Sequence, residues 1–197
     1  MRETELKGIV ADPVNLRARL LSAGAREVFN GALSDRRYDL ASRELLDRDH
    51  VLRLRVYRDA AGERAVLDWK GPTRHAKGYK VREELSAPSG DGQVMALMLE
   101  RLGYVVIREI DRDIEQFELG GAVLRIERYP RMDVLLEVEG TPRAIEGAIA
   151  QTGIPRADFS SERLPEFIVR YEQRTGERAA ICVRELSGDY RYSVTDA

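Results

Sequence analysis

The chain has 197 residues, 43% of them hydrophobic and 34% charged, with a formal net charge of -2. That is the size of one domain with a core, and the near-neutral balance gives no whole-molecule case for nucleic-acid binding. The lone Cys182 excludes an intrachain disulfide and fits a reducing cytoplasm, no run is long enough for a membrane span, and the start has no apolar signal region.

A first strand is expected to end near Val10. Side chains alternate faces on a strand, so Glu3, Glu5 and Lys7 share one face and Thr4 and Leu6 the other. Two carboxylates and an ammonium are costly to bury among apolar groups. They suit a polar cavity for a divalent metal and an anion, or equally a solvated edge strand.

Asp12-Pro13 reads as an N-cap and first helical position, and Gly24 as the stop. A strand is expected within Val28 to Asp39, then a hairpin of strands at about 51–58 and 64–70 joined through Asp59 to Gly62. Thr73 to Gly78 reads as a polar loop holding His75 and Lys77, followed by a strand at about 79–86. Asp91 caps a helix that runs to Gly103. Its stripe of Val94, Leu97, Met98 and Leu102 reads as core. Strands at about 104–118, 122–129 and 134–139 and helices near 142–152 and 161–175 complete a domain over 1–176, leaving 177–197 as a tail or terminal strand.

The charged alternation recurs in Arg53/Arg55, Asp68/Lys70, Lys80/Arg82/Glu84, Arg125/Glu127 and Glu137/Glu139. A half-exposed antiparallel sheet also alternates, but these polar faces are almost entirely Arg, Lys, Glu and Asp. Hairpin-linked strands favour antiparallel pairing, and about eight strands close around side chains or one small ligand. The expected fold is therefore α+β: a closed eight-stranded antiparallel β-barrel, a tunnel charged within, with helices packed outside.

In this order the motifs resemble those of the CYTH family, the triphosphate tunnel metalloenzymes. The family includes class IV adenylate cyclases, thiamine triphosphatases and inorganic triphosphatases. The resemblance rests on Glu3-x-Glu5-x-Lys7, Tyr38-Asp39, Leu52-Arg53-Leu54-Arg55, Trp69-Lys70-Gly71-Pro72, Arg82-x-Glu84, Arg112 and Glu137-x-Glu139, and covers roughly residues 1–175. It implies an eight-stranded antiparallel tunnel, with Glu3, Glu5, Glu127, Glu137 and Glu139 around Mg²⁺ or Mn²⁺, ions suited to hard oxygen ligands. It implies that Lys7, Arg53, Arg55, Lys70, Lys80, Arg82, Arg112 and Arg125 bind a triphosphate, Arg pairing two oxygens at once. Lys7, Arg53, Arg55, Lys70 and Glu84 are the implied catalytic set. The implied activity is metal-dependent hydrolysis of a triphosphate, or cyclisation of ATP. The ligand would be ATP, thiamine triphosphate or inorganic triphosphate, in a cytoplasmic protein that can pair as a homodimer.

Three positions depart from the family pattern. Ile110 stands where a Lys is frequent, Glu127 where an Asp is common, and Asp133-Val134 where the turn often holds Gly. The first removes a phosphate-binding charge, which Lys80 and Arg125 are placed to replace in part. These departures motivate the alternative of a non-catalytic phosphate or polyphosphate binding module. His50 reads as a strand-edge residue, and Trp69 as packing outward under a helix. The sequence holds no zinc-spaced His/Cys cluster, Gly-x-x-x-x-Gly-Lys loop or Gly-x-Ser-x-Gly elbow.

Overall fold

In the computed structural model residues 2–76 and 78–188 are described, with Arg2 and Glu3 described by their backbone alone. The strands are β1 (Arg2–Ile9), β2 (Arg26–Leu40), β3 (Val51–Asp59), β4 (Gly62–Lys70), β5 (Arg74–Ala76), β6 (Tyr79–Ser89), β7 (Tyr104–Leu119), β8 (Ala122–Arg128), β9 (Leu135–Glu139) and β10 (Phe159–Ser160). The helices are α1 (Pro13–Ser22), α2 (Glu44–Asp47), α3 (Gly92–Arg101), α4 (Pro142–Thr152) and α5 (Leu164–Thr175). Eight strands pair antiparallel in the circular order β1-β9-β8-β7-β2-β3-β4-β6, and β6 returns to β1 through Glu3↔Arg82 and Glu5↔Lys80. The expected barrel with helices outside is the observed fold. The short β5 and β10 add to β6 and β1 without interrupting the ring.

The helix starts follow from their caps. Asp12 accepts from the Asn15 N–H, Asp91 from those of Gln93 and Val94, and Thr141 from that of Ala144. Gly153 and Gly176 end α4 and α5 in the left-handed conformation.

The main apolar core lies outside the barrel wall. Leu6, Leu124, Ile126, Leu136 and Val138 point outward and pack under Leu16 and Leu20 of α1 and Ile145 and Ile149 of α4. A second cluster sets α3 over Leu54, Ala65 and Tyr38. The contact face of α3 is Leu99 with half-buried Met95 and Ala96, while Val94, Leu97, Met98 and Leu102 remain exposed. The core assignment of that stripe is thus corrected. Gly92 seats the first turn so closely that a Cβ would lie 2.9 Å from Val56, and this rotates the other face inward.

Inside the barrel, Phe29, Leu33, Tyr57 and Ile114 fill one end, with Val66 against them. The other end is closed by a cluster of Ile110, Tyr129 and Leu135 with Leu164, Phe167 and Ile168 of α5 and Ile181. Residues beyond α5 therefore belong to the fold as far as 188. Ala180 bridges to Arg131, the Asp111 N–H donates to the Ile181 carbonyl, and Ala180, Ile181 and Cys182 are fully buried. This stretch lies beside the part of β7 that precedes its pairing with β8.

Gly31 passes so close to β3 that a Cβ would fall 2.1 Å from the Arg58 carbonyl oxygen. Gly31→Ala is expected to lower stability by about 1–3 kcal/mol. Gly147, exposed in α4 with open space around it, should respond the opposite way, with Gly147→Ala gaining about 0.5–1 kcal/mol. Urea midpoints of the two variants against the parent check both signs.

Candidate active site

Strand alternation carries the charged faces into the barrel, where they line a cavity of about 120 Å³. Among the described residues, nine barrel-borne cations line it: Lys7, Arg37, Arg53, Arg55, Lys70, Lys80, Arg82, Arg112 and Arg125. Every one of the cations expected to bind phosphate is among them. Seven strand carboxylates, Glu5, Asp35, Asp68, Glu84, Glu127, Glu137 and Glu139, ion-pair with the set.

The pairs form three linked groups. On the β1/β9 seam the register sets Glu5 opposite Glu139 and Lys7 opposite Glu137. The Lys7 ammonium donates to Glu5 at 3.0 Å and to Glu137, and Lys80 reaches Glu5 as well. Arg125 bridges Glu137 and, at 3.4 Å, Glu139. Across β3, β4 and β6, Arg53 contacts Asp68 at 3.2 Å and Glu84 at 3.3 Å, while Arg55 also contacts Asp68. Glu84 meets Lys70 at 3.4 Å and Arg55 at 3.7 Å. Glu84 therefore gathers three cations rather than standing apart from them. The third group centres on Asp35, 3.5 Å from Arg53 and 3.3 Å from Arg112.

Glu127 has both oxygens engaged. Arg112 takes one at 2.6 Å and the buried Tyr129 hydroxyl donates to the other at 2.7 Å. Its environment orients Arg112, and the longer Glu in place of Asp is what spans to both partners. Ile110 also has a structural account. It is buried against Leu135, Leu164 and Ile181, where α5 and the C-terminal stretch close the barrel, and it lines the end of the cavity beside Arg112.

Burial raises the pKa of Glu5, but Lys7, Lys80 and Lys70 outweigh it and hold the carboxyl well below its ordinary range. Glu137 is likewise held low by Lys7 and Arg125 against burial and the neighbouring Glu5. Asp35 and Asp68 are lowered against burial, chiefly by Arg53 together with Arg112 and Arg55 respectively. Burial pushes Arg37 down to about 10, an effect that Asp35 opposes and the surrounding arginines reinforce. Burial also lowers Lys80, which Glu5 partly offsets. Against burial, carboxylate partners raise Lys7, Arg112 and Arg125, so the cavity holds ionised carboxylates interleaved with charged cations.

Sequence reasoning set Asp68 on the charged inner face but gave no role to Asp35, Arg37, Asp49 or Tyr129. Asp35 and Arg37 lie on the long β2, whose sequence alternates poorly. Asp49, held in the left-handed conformation, accepts from the Thr73 N–H and with Gly71 fixes Arg82, whose guanidinium donates to both backbone carbonyls. His50 lines the cavity and meets Trp69 edge-on at 5.2 Å. Trp69 thus packs against the His50 ring. The side chain of Glu3 and all of Lys77 lie outside the described residues.

Glu5, Glu137 and Glu139 offer the hard oxygen donors that Mg²⁺ or Mn²⁺ takes, and the Lys7 ammonium lies between two of them. The donor chemistry fits such an ion. Among the described residues, the three-residue group with ligand atoms within 4.8 Å of one another is instead Glu109, Asp111 and Cys182. That group lies outside the tunnel, where Arg36 and Arg184 neutralise Glu109.

No family model and no curated protein matches the chain. Solved structures do. A candidate adenylate cyclase from Vibrio parahaemolyticus is 22% identical with a TM-score of 0.72, covering 85% of this chain and 97% of that one. A Pyrococcus horikoshii protein is 20% identical with a TM-score of 0.70, covering 85% and 98%. A candidate adenylyl cyclase from Hippeastrum, described as having a dominant triphosphatase activity, is 18% identical with a TM-score of 0.61, covering 90% and 97%. At these identities the likeness is one of fold, and that fold is the closed eight-stranded antiparallel barrel expected from the sequence. No helix among the described residues is long and apolar enough to cross a membrane.

Because Glu5, Asp35, Asp68 and Glu137 are held low in the fold, the unfolded chain takes up protons first as pH falls. Their contribution to stability is fully present above the ordinary carboxylate range of about 4 and is lost as pH drops through the lower folded values. The urea midpoint is expected to hold level from about pH 7 to 5 and to fall steadily from about pH 4 to 3. A midpoint that rises on acidification would contradict the pairing described.

Proposed function

We propose that the chain is a divalent-metal-dependent enzyme that hydrolyses a triphosphate held in the tunnel. The observation that carries this reading is the convergence of Lys7, Arg53, Arg55, Lys70, Arg82, Arg112 and Arg125 on one enclosed cavity, interleaved with carboxylates on its β1/β9 side. An enclosed set of cations at fixed positions suits a chain of phosphates and little else. The fold shared with the Hippeastrum protein supports it further.

In this reading Arg53, Arg55, Lys70, Arg82 and Arg112 bind the phosphate oxygens and hold the chain in line. Lys7 and Arg125, tied to Glu5 and Glu137, border the reacting phosphorus. Glu84, Asp35 and Asp68 are positioning residues that act through the guanidiniums they touch. Glu5, Glu137 and Glu139, with Glu3 two residues before Glu5 in sequence, would hold Mg²⁺ or Mn²⁺, which supplies neutralisation of phosphate charge. A water oxygen attacks the terminal phosphorus and the bridging P–O bond breaks. Phosphate and the shortened diphosphate leave, with the water proton passing to solvent. Preorganised cations stabilise the charge that develops on the transferred group.

The test is product analysis with ATP, thiamine triphosphate and inorganic triphosphate in the presence of Mg²⁺ or Mn²⁺. Phosphate release is expected, and Arg53→Ala or Lys70→Ala should lower kcat/KM by about 10²–10³-fold. Glu5→Gln with Glu137→Gln should abolish the metal dependence. Cyclic AMP with pyrophosphate from ATP would instead identify a cyclase. Tight triphosphate binding with no product would identify a binding module.

A further inference from the structure

Strands β7, β2 and β3 bring Arg108, Arg37 and Arg53 into one register row, so that Arg37 stands opposite an arginine on each side. Cross-strand neighbours on one face lie about 5 Å apart at Cβ, and like charges placed so oppose folding. The carboxylates around the row hold its flanks. Glu185 meets Arg108 at 3.5 Å, and its other oxygen accepts from the Ile181 and Cys182 N–H groups. Asp68 meets Arg53, while Asp35 meets Arg53 and Arg112. Burial disfavours the charge on Arg37, and Arg53, Arg108 and Arg112 add to this against the opposing pull of Asp35. The β2/β7 register shifts immediately after Arg37, where Val106 and not Ile107 stands opposite Tyr38. Irregularities of this kind re-aim side chains beside sites. Here both Arg37 and Ile107 line the tunnel cavity.

We propose that Arg37 is a substrate-binding residue that grips the phosphate chain from the wall opposite the β1 carboxylates. The inference rests on the triphosphate reading above and adds to it a residue outside the motif set. In the ring β2 lies four strands from β1 in either direction, so Arg37 enters the tunnel diametrically across from Glu5 and Lys7. Along β2 it stands four residues, about 13 Å, beyond Leu33 of the apolar end, toward His50 and Val51. A phosphate oxygen between Arg37 and Arg53 accepts from both guanidiniums and screens each from the other. Repulsion within the row of the ligand-free fold thus becomes attraction once an anion enters. Arg37 works on a different side of the chain from Lys7 and Arg125, which border the reacting phosphorus in that reading. Its grip is the same before and during the reaction, and uniform binding of this kind sets KM and leaves kcat.

Steady-state kinetics on inorganic triphosphate with Mg²⁺ test this on Arg37→Gln, which removes the charge. KM is expected to rise by about 10–10²-fold, with kcat changed far less. The urea midpoint without ligand is expected to rise too, because the row loses its central charge. The further upward shift that inorganic triphosphate gives the parent, measured without added metal so that no turnover occurs, should shrink in the variant. Arg37→Lys keeps the charge and loses the planar fork, and its KM should fall between those of the parent and Arg37→Gln. An arginine that only braces the wall gives the opposite pattern, a lower midpoint with KM unchanged, and that result overturns the proposal. An unchanged KM in both variants, beside a parent that releases phosphate, overturns it as well and leaves the triphosphate reading standing. A parent that neither releases phosphate nor shifts its midpoint with inorganic triphosphate removes that reading, and this inference with it.

Discussion

Everything in this fold answers to one constraint: among the described residues, nine strand-borne cations share a small cavity inside a closed wall. Like charges at such separations repel strongly once water is largely excluded, and burying any of them unpaired costs several kcal/mol. The sequence meets this by interleaving carboxylates on the same strand faces. Asp35 stands between Arg53 and Arg112, Asp68 between Arg53 and Arg55, and Glu137 between Lys7 and Arg125. Removing one partner would leave the other exposed to its neighbours' repulsion. The network is thus a condition of folding before it is a device for binding.

Filling the barrel with charge moves the apolar core elsewhere. The outward faces of β1, β8 and β9 become the hydrophobic surface, and α1 and α4 exist to cover it. The barrel ends need closing too. Phe29, Leu33, Tyr57 and Ile114 do this at one end, and α5 with the stretch around Ile181 at the other. Ile110 belongs to this second closure. A position that looks like a lost binding charge in the linear sequence is, in three dimensions, part of the plug that confines the remaining charges.

Much of this was legible because a strand has a period of two. Once Arg53/Arg55, Lys80/Arg82/Glu84 and Glu137/Glu139 are read as one-sided charge, closure and the lining follow. What escaped the reading did so for identifiable reasons. Asp35 and Arg37 sit on β2, where the opposite face carries the polar Ser34 and the charged Arg36, so parity gives little contrast. Asp49 and His50 follow a helix of only four residues, too short to leave a periodic signal, and their role rests on backbone geometry around Arg82. The stripe on α3 misled because its apolar arc extends most of the way round the helix. Which side meets the barrel was decided by the close approach of Gly92 to Val56 and Ala65, a contact between segments distant in sequence.

The charge balance also bears on what the tunnel would accept. Among the described residues the nine strand-borne cations exceed the seven strand carboxylates paired with them by only two, whereas a triphosphate brings about four negative charges near neutral pH. The tunnel alone is therefore under-compensated for its proposed ligand. The deficit falls where Glu5, Glu137 and Glu139 already concentrate negative charge, and those oxygens cannot themselves help an anion. A divalent cation on that side removes the deficit and turns the carboxylates from competitors of the phosphate into its indirect anchors. The carboxylates needed to let the barrel fold without ligand thus become, under this reading, the reason that a metal must accompany the triphosphate, so that binding of either should tighten binding of the other.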